Sequence, residues 1–275
     1  MKTKHLGHET TGLIIPDWPA PDNILALCTT RVSFQTATSL PENLSGYQAC
    51  NLAQHVGDDA NQVKQNRKCL ADYVDLPDTH IAWLEQVHGT RIVSAPDACQ
   101  ASQTQTEQAD ASICQEPGFA CAIMTADCLP VLFCNLPEAQ ESQQVAAAHA
   151  GWRSLAGGIL TQTLMQFPQP EKVIAWLGPA ISQAHFEVGQ EVYNAFVEKN
   201  PDNARAFKPS KADAKRPTKW QACLYTLARI ELEQSGIKQV YGGTWCTFEQ
   251  AEWFYSYRRD GAQSGRMASL IILKE

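Results

Sequence analysis

The chain has 275 residues, of which 44% are hydrophobic and 19% are charged, and its formal net charge at pH 7 is −7. This acidic balance argues against a nucleic-acid partner, because binding along a phosphate backbone requires a surplus of Lys and Arg on one face. No apolar stretch approaches the ~18 residues of a membrane span, and the first residues lack the apolar core of a signal peptide. We therefore expect a cytoplasmic protein with no membrane partner, folded as a single domain over residues 1–275.

The predicted elements alternate between strands and helices along the chain. Apolar runs bounded by turn residues predict strands at residues 24–29, 91–94, 119–124, 130–134, 144–149, 172–177, 239–245 and 267–273. Apolar positions that recur every three or four residues predict helices at residues 59–73, 154–167, 188–199 and 219–234. Strands outnumber helices and do not alternate strictly with them. This pattern favours an α/β fold, a mixed-sheet layered sandwich, over a doubly wound parallel sheet.

Two polar stretches are predicted to be exposed connections. Residues 97–110 are rich in Gln, Ser and Thr, which is typical of a solvated loop. Residues 208–219 combine lysines and prolines, which favours an exposed connection, with anion binding as the alternative. The ten cysteines include no CxxC pair and are expected to be free thiols. Five of them lie in apolar surroundings and are predicted to be small core residues: Cys28, Cys114, Cys121, Cys134 and Cys223.

Reactive side chains are concentrated in three short segments, each where a predicted strand ends or a turn begins. The segments are WLEQVHGTRIV, MTADCLPVLFC and VAAAHAGWRSLAGGIL, and they carry His88, Cys128 and His149. Two histidines and one cysteine match the three protein ligands of catalytic zinc, which keeps a fourth position open. The spacings of 40 and 21 residues contain no local metal motif. From the residues alone, a metal site and separate structural roles are both open interpretations.

A resemblance to a known family rests on six motifs. WLEQVHG, TADCLPVLF, AAHAGWRSLAGGI, WLGPAIS, FEVGQEV and SYRRDGAQSGRMAS occur in this order. They resemble the successive motifs of the polyphenol oxidase-named family, also described as purine nucleoside phosphorylases and as the peptidoglycan editing factor. The resemblance extends from about Asn51 to Leu273. Residues 32–46 depart from the family pattern, which has a Gly-Gly pair and a shorter link after CTTR, so no pocket role is assigned to them.

The resemblance implies a fold, a cofactor and an activity. The fold is a layered α/β sandwich similar to that of a group of cysteine hydrolases. The cofactor is zinc, held by the histidine of QVHG, the cysteine of ADC and the histidine of HAGWR, which fall on His88, Cys128 and His149. The activity is phosphorolysis of adenosine, guanosine, inosine and methylthioadenosine, with hydrolytic deamination of adenosine. The expected small-molecule partners are therefore purine nucleosides and phosphate.

Two further residues are candidates for the chemistry. Arg153 is expected to hold phosphate, because its planar guanidinium suits oxyanions and it lies near a predicted helix start; the alternative is a surface ion pair. Deamination needs a water made nucleophilic by a metal and a group that moves protons. Asp127, beside Cys128, is the candidate acid/base, and the alternative is a residue that only orients a ligand. Residues 257–259 offer stacking or anion contacts, or a structural ion-pair cluster.

Other functions stay open at this point. A cysteine hydrolase would use Cys128 as the nucleophile and His149 as the base. A peptidoglycan-precursor editing amidohydrolase would cleave an amide of a muramyl peptide with the same zinc site. A multicopper oxidase is disfavoured, because its copper centres need about ten histidines, often in His-x-His pairs. This chain has seven histidines and no such pair. A nucleotide-binding module without catalysis is the remaining alternative.

Overall fold

The computed structural model describes residues 12–32, 46–47, 50–102, 105–138, 142–210 and 218–275. Most of the divergent segment 32–46 and residues 211–217 of the lysine-rich connection lie outside these ranges. The strands are β1 Leu13–Ile14, β2 Ile24–Thr29, β3 Ile81–Ala82, β4 Ile92–Ser94, β5 Ala111–Cys114, β6 Ala120–Thr125, β7 Leu129–Asn135, β8 Val145–Ala150, β9 Val173–Leu177, β10 Glu187–Gly189, β11 Phe207–Pro209, β12 Lys219–Ala222, β13 Gln239–Gly242 and β14 Met267–Leu273. The α-helices are α1 Ala60–Tyr73, α2 Ala95–Ala101, α3 Trp152–Gly157, α4 Ile159–Leu164, α5 Gln190–Val197, α6 Leu224–Gln234 and α7 Tyr257–Asp260.

The strands form three sheets. The first has the order β1-β2-β14-β6-β3, with β3 parallel to β6 and the other neighbours antiparallel. The second has the order β13-β9-β7-β8-β5-β4 and is antiparallel at its centre, with a parallel pair at each edge. The third is a small antiparallel sheet with the order β10-β12-β11. The expected mixed sheets are therefore confirmed.

Side-chain alternation along the central strands creates the layers. Ile123 of β6 and Ile271 of β14 share one buried apolar cluster with Leu132 of β7 and Ala147 of β8. The first two sheets therefore pack face to face. Because neighbouring residues in a strand point to opposite faces, the residues between these positions are directed outward.

Helices cover both outward faces. On the second sheet, Phe133 of β7 is buried with Leu160 of α4 and Leu227 of α6. On the first sheet, Leu270 of β14 is buried with Leu70 of α1. The order of layers is helix, sheet, sheet, helix, which confirms the layered α/β sandwich. Among the described residues, no helix is both long enough and apolar enough to cross a membrane.

All eight predicted strands are present, with small differences at their ends. The strand predicted at residues 239–245 ends at Gly242, because Gly242 and Gly243 both adopt positive φ, at 72° and 79°, which extended backbone does not. The strands that were not predicted are β1, β3, β5, β10, β11 and β12, which have only two to four residues, too few to show a period. All ten cysteines are free, and of the five predicted core cysteines only Cys223 is partly exposed.

The largest differences between the predicted and the observed helices are at two places, while the helix predicted at residues 188–199 is only shortened to α5. The helix predicted at residues 154–167 is divided into α3 and α4, because Gly158 takes the left-handed conformation at φ 87°. The helix predicted at residues 219–234 begins only at Leu224, because residues 219–222 pair as β12 between β10 and β11. In the second case, long-range pairing outweighs helical periodicity.

The prediction of a solvated loop at residues 97–110 is wrong at both ends of that segment. Residues 97–101 belong to helix α2, which is capped by Ser94, whose hydroxyl accepts the backbone N–H of Asp97 at 3.4 Å. Asp110 at the other end is fully buried. Composition identified the polar character of the segment but missed the cap that starts a helix and the carboxylate that enters the interior.

Candidate metal centre

His88, Cys128 and His149 come together at one end of the second sheet. Each offers one ligand atom, and these atoms all lie within 4.8 Å of one another. Cys128 Sγ is 3.8 Å from His88 Nε2, and the two imidazole rings meet edge to face with centroids 4.7 Å apart. Zinc bond lengths and a tetrahedral angle require about 3.3–3.6 Å between neighbouring nitrogen and sulfur ligand atoms. The observed spacing is slightly wider, so small side-chain movements would bring the thiolate and the two imidazoles onto one zinc ion.

Strand pairing explains why these residues meet. Cys128 directly precedes β7, and His149 lies near the end of β8, where it pairs with Pro130. Because β7 and β8 are antiparallel neighbours, the start of one lies beside the end of the other. His88 arrives from the turn between β3 and β4 in the left-handed conformation, with φ 60°.

Gly151 allows the chain to pass beside this cluster. A Cβ atom added there would lie 2.9 Å from His88 Cδ2, 3.2 Å from Cys128 Sγ and 3.3 Å from His149 Cε1. Any larger residue would therefore press on all three candidate ligands at once. Only glycine fits at this position without a shift of the neighbouring ligand side chains.

Asp110 fixes two of the candidate ligands, and the sequence interpretation missed it. Its buried carboxylate lies 2.8 Å from His149 Nδ1. It also accepts the backbone N–H groups of His88 at 3.0 Å and Gly89 at 2.6 Å. A proton on His149 Nδ1 leaves Nε2 as the ligand atom, the arrangement common to metal-binding histidines. The sequence signal that could have identified Asp110 is its position, since it is an acidic residue immediately before an apolar strand.

The charges of the cluster support one another. Burial alone would raise the pKa of the Cys128 thiol, but the charges and hydrogen bonds of His149 and His88 outweigh it, and the pKa is lowered. Burial would likewise lower the pKa of His149, but Cys128 and Asp110 outweigh it, and the pKa is raised. Burial would raise the pKa of Asp110, but hydrogen bonds from His149 and Gly89 lower it. The thiol is therefore prepared as a thiolate, the form that binds metals.

A cavity of about 300 Å³ opens onto the cluster. Ile181 and Phe186 give it an apolar wall, while His55, Arg258 and Arg266 contribute nitrogen groups. Burial lowers the pKa of the Arg266 guanidinium, and the negative charges of Cys128 and Asp127 oppose this effect. A cavity of this kind, mostly apolar with a few polar groups, is typical of a site for a small molecule.

Asp127 lies in the cavity lining next to Cys128, but its carboxylate is already occupied. It accepts the hydroxyl of Thr247 at 2.6 Å, the hydroxyl of Ser256 at 3.0 Å and the backbone N–H of Arg258 at 2.7 Å. Its φ of 88° is uncommon for a residue with a side chain. Three hydrogen bonds to one carboxylate hold the side chain in a fixed position. These contacts favour positioning over acid/base catalysis.

Arg153 is not among the residues that line the cavity. It is exposed on the six-residue helix α3, and its guanidinium lies over the Trp152 ring at 4.4 Å from the centroid. The structure therefore does not bring Arg153 to the predicted phosphate site. Of the arginines in the YSYRRD motif, Arg258 lines the cavity, whereas Arg259 pairs with Asp260 at 2.8 Å and is structural.

Comparison with known proteins places the chain in a family. Residues 35–274 match the family described as multi-copper polyphenol oxidoreductase laccase. The chain belongs to this family. It is 44% identical over 262 residues to purine nucleoside phosphorylase YfiH of Escherichia coli K12, covering 95% of this chain and 98% of that protein. It is 41% identical over 263 residues to purine nucleoside phosphorylase PA4543 of Pseudomonas aeruginosa, with the same coverage, 95% and 98%.

Solved structures of similar proteins share the fold. Neisseria meningitidis protein NMB0706 superimposes with a TM-score of 0.83 at 44% identity, covering 96% of this chain and 100% of that one. YlmD from Geobacillus stearothermophilus also gives a TM-score of 0.83, at 27% identity, covering 98% of this chain and 99% of that one. Both solved structures therefore share the layered sandwich fold of this chain, the more similar and the less similar in sequence alike.

The copper in the family description has a specific structural requirement. A blue-copper site adds a weak axial ligand, often a methionine thioether, to two histidines and a cysteine. Met124 lines the cavity, but its sulfur accepts a hydrogen bond from Arg67 Nη2 at 3.7 Å. His88, Cys128 and His149 therefore form a metal donor set without an axial thioether.

Proposed function

We propose that this protein is a zinc-dependent purine nucleoside phosphorylase, a single-domain enzyme that acts on adenosine, guanosine, inosine and methylthioadenosine and also deaminates adenosine. The names of its relatives support phosphorolysis. The observation that carries the proposal is a nucleoside-sized cavity with His88, Cys128 and His149 on one side and arginines nearby. Ten free cysteines fit a reducing compartment, and we place the enzyme in the cytoplasm.

We assign the purine to the apolar wall of the cavity. Phe186 and Ile181 form this wall, and Tyr257, which is 54% exposed, lies at the opening. The Arg258 guanidinium lies 5.5 Å from the centroid of the Phe186 ring. A flat aromatic base gains most from apolar and aromatic surfaces on its faces and needs few polar contacts. One wall of the cavity therefore accepts several purines, which fits the breadth of the proposed substrates.

We assign the phosphate to Arg266 instead of Arg153. Arg266 Nη1 donates to the carbonyls of Ser264 at 2.6 Å and Gly265 at 3.0 Å, which holds the guanidinium in place beside the cavity. The planar fork retains further N–H groups for an oxyanion. A guanidinium fixed in this way orients phosphate before reaction, and positioning is the main requirement of phosphorolysis.

The proton-handling group that we propose is His55. Burial and the positive charges of Arg266 and Arg67 lower its pKa, although Glu85 opposes them. The imidazole is therefore neutral at pH 7 and able to accept a proton from a group in the cavity. When bound, zinc would supply Lewis acidity for the deamination. Asp127 is proposed to hold the strand start at Cys128 through its three hydrogen bonds.

The proposed function is tested by product analysis. Metal-replete protein is incubated with adenosine, with and without phosphate, and adenine, inosine and hypoxanthine are resolved. Phosphate-dependent adenine is expected from phosphorolysis, and phosphate-independent inosine from deamination. Absence of all three products with intact zinc binding would contradict the proposal and favour a binding module.

Replacing Arg266 with alanine is expected to raise the KM for phosphate roughly 10-fold to 100-fold, because a hydrogen bond to a charged group contributes about 1.5–3 kcal/mol. Deamination does not use phosphate and should change little. Arg153→Ala is the matched control, since it removes an exposed guanidinium outside the cavity lining. Steady-state kinetics of both reactions measure the effect. Equal losses in the two reactions, or a phosphate effect only in Arg153→Ala, would refute the assignment.

A cysteine hydrolase is the second candidate, and one observation favours it. Asp110, His149 and Cys128 lie in the order orienting acid, base and nucleophile that a catalytic triad requires. The same three residues therefore fit either a metal centre or a covalent mechanism. The state of the thiolate distinguishes them.

We expect zinc to protect Cys128 from alkylation, because a coordinated thiolate is a poor nucleophile. Iodoacetamide labelling, followed by peptide mass analysis, should be slow in zinc-loaded protein and fast after chelation. Partly exposed Cys223 is an internal control, since its labelling should not depend on zinc. Chelation should also abolish turnover, and zinc should restore it. Full activity of metal-free protein, lost when Cys128 is alkylated, would establish the hydrolase instead.

A further inference from the structure

We propose that His185, Cys246 and Glu249 form a second zinc-type metal site behind the wall of the cavity. Their ligand atoms lie within 4.8 Å of one another. None of the three lines the cavity. The proposal therefore concerns a separate cluster and does not rest on the proposed enzymatic function.

The Cys246 and His185 ligand atoms already have the spacing of a metal site. Cys246 Sγ lies 3.5 Å from His185 Nδ1. Zinc–sulfur and zinc–nitrogen bonds at a tetrahedral angle place these two atoms about 3.5–3.6 Å apart. Cys246 is buried, His185 is half-buried and Glu249 is exposed. The carboxylate thus covers the solvent side of the cluster, and an ion can enter there.

The segment that carries Cys246 is held rigidly. Its backbone N–H donates to the Gln250 side chain at 2.8 Å, and the next N–H, of Thr247, donates to the carbonyl of Ala180 at 3.1 Å. The Phe248 ring stacks on His185 with centroids 4.6 Å apart and an angle of 19° between the planes. Both halves of the cluster are therefore oriented by contacts that need no metal.

The charge of the donor set indicates the metal class. A thiolate, a carboxylate and a neutral imidazole together carry two negative charges, which balance a divalent cation. The thiolate and imidazole favour zinc over magnesium and calcium, which prefer oxygen ligands. At the first centre, by contrast, one thiolate and two neutral imidazoles leave a net positive charge on the complex. The second cluster therefore suits a divalent zinc-type ion with three protein ligands and a fourth position open to solvent.

The position of the second cluster gives it a role. Thr247, next to Cys246, donates to Asp127, which adjoins Cys128 of the first centre. Phe186, next to His185, forms part of the apolar wall. A metal that joins His185 to Cys246 would clamp this wall to the segment that supports Asp127. We expect this metal to stabilise the fold and to take no direct part in the chemistry.

The test uses zinc alone as the probe and removes the first centre. The full chain carrying Cys128→Ser is dialysed against zinc, and we expect about one bound equivalent per chain. Adding Cys246→Ser should remove that equivalent. Adding Cys223→Ser, the same change at a partly exposed cysteine outside the cluster, should leave it. No bound zinc in the Cys128→Ser chain, or an equivalent that survives Cys246→Ser, would overturn the proposal.

Three further readouts distinguish loss of the metal site from misfolding of the variant. Glu249→Gln alters an exposed side chain and should weaken zinc binding by about tenfold or more without changing the far-UV circular dichroism. Zinc should raise the Tm of the Cys128→Ser chain but not that of the chain that also carries Cys246→Ser. Cobalt(II) should give a thiolate charge-transfer band in the Cys128→Ser chain but not in the chain that also carries Cys246→Ser. A band or Tm shift that is equal in both chains would also overturn the proposal.

Discussion

Replacing His149 with alanine is expected to remove one metal equivalent per chain and to lower turnover of adenosine by about 10³-fold, because a metal contributes several kcal/mol to such reactions. His149 is buried, and its Nδ1 lies 2.8 Å from Asp110, so no other side chain can easily replace it. His88→Ala and Cys128→Ala should have the same effect. Metal analysis after dialysis and adenosine turnover measure the two losses.

His80→Ala is the matched control for the histidine variants. His80 stacks on Phe119 with ring centroids 4.6 Å apart and lies outside the cavity lining. This variant should keep the metal content and turnover of the parent chain. Cys128→Asp should retain part of the metal, since zinc also accepts a carboxylate ligand. Full metal retention by two of the three alanine variants would show that these residues do not form one centre.

The second large effect is expected from Asp110→Asn, which should weaken zinc affinity at the first centre by about 10-fold to 100-fold. The amide lacks the charge that stabilises the His149 N–H, and one of its two polar ends is a donor that cannot accept from the backbone. Asp110 accepts the N–H groups of His88 and Gly89, so the turn that carries His88 should loosen as well. Competition against a chelator gives the affinity, and thermal unfolding gives the stability.

A partly buried carboxylate, Asp260, separates loss of fold from loss of the centre. Asp260→Asn breaks the 2.8 Å pair with Arg259 and should lower the Tm, but it should leave zinc affinity at the first centre unchanged. If Asp110→Asn binds zinc as tightly as the parent chain, the assigned positioning role of Asp110 is wrong. If Asp260→Asn weakens zinc equally, the effect comes from general destabilisation.

The parts of the fold that the sequence predicted are those with long uninterrupted apolar runs. The residues of β14 were identified completely, because seven buried residues in succession leave little choice of structure. The division at Gly158 was missed, because the apolar spacing continues across it and only the local φ breaks the helix. Short strands such as β12 depend on partners elsewhere in the chain, and local patterns do not contain that information.

The candidate site was likewise predicted only in part. His88, Cys128 and His149 were found from residue type and from the family resemblance. Asp110 was missed, because its importance arises only when β5 pairs with β8 and carries the carboxylate to His149. Arg153 was assigned to phosphate because it lies near a predicted helix start. The sequence position alone does not show that its side chain lies outside the cavity lining.

The position of β14 at the centre of the first sheet affects how the protein is made. A ribosome delivers residues 267–273 after every other described strand, yet β14 lies between β2 and β6 and pairs with both. Until it emerges, those two strands have unpaired edges, and Arg266 is not yet available to the cavity. Such non-local pairing slows folding and exposes strand edges to association. The nascent chain therefore completes its cavity only after β14 has been synthesised.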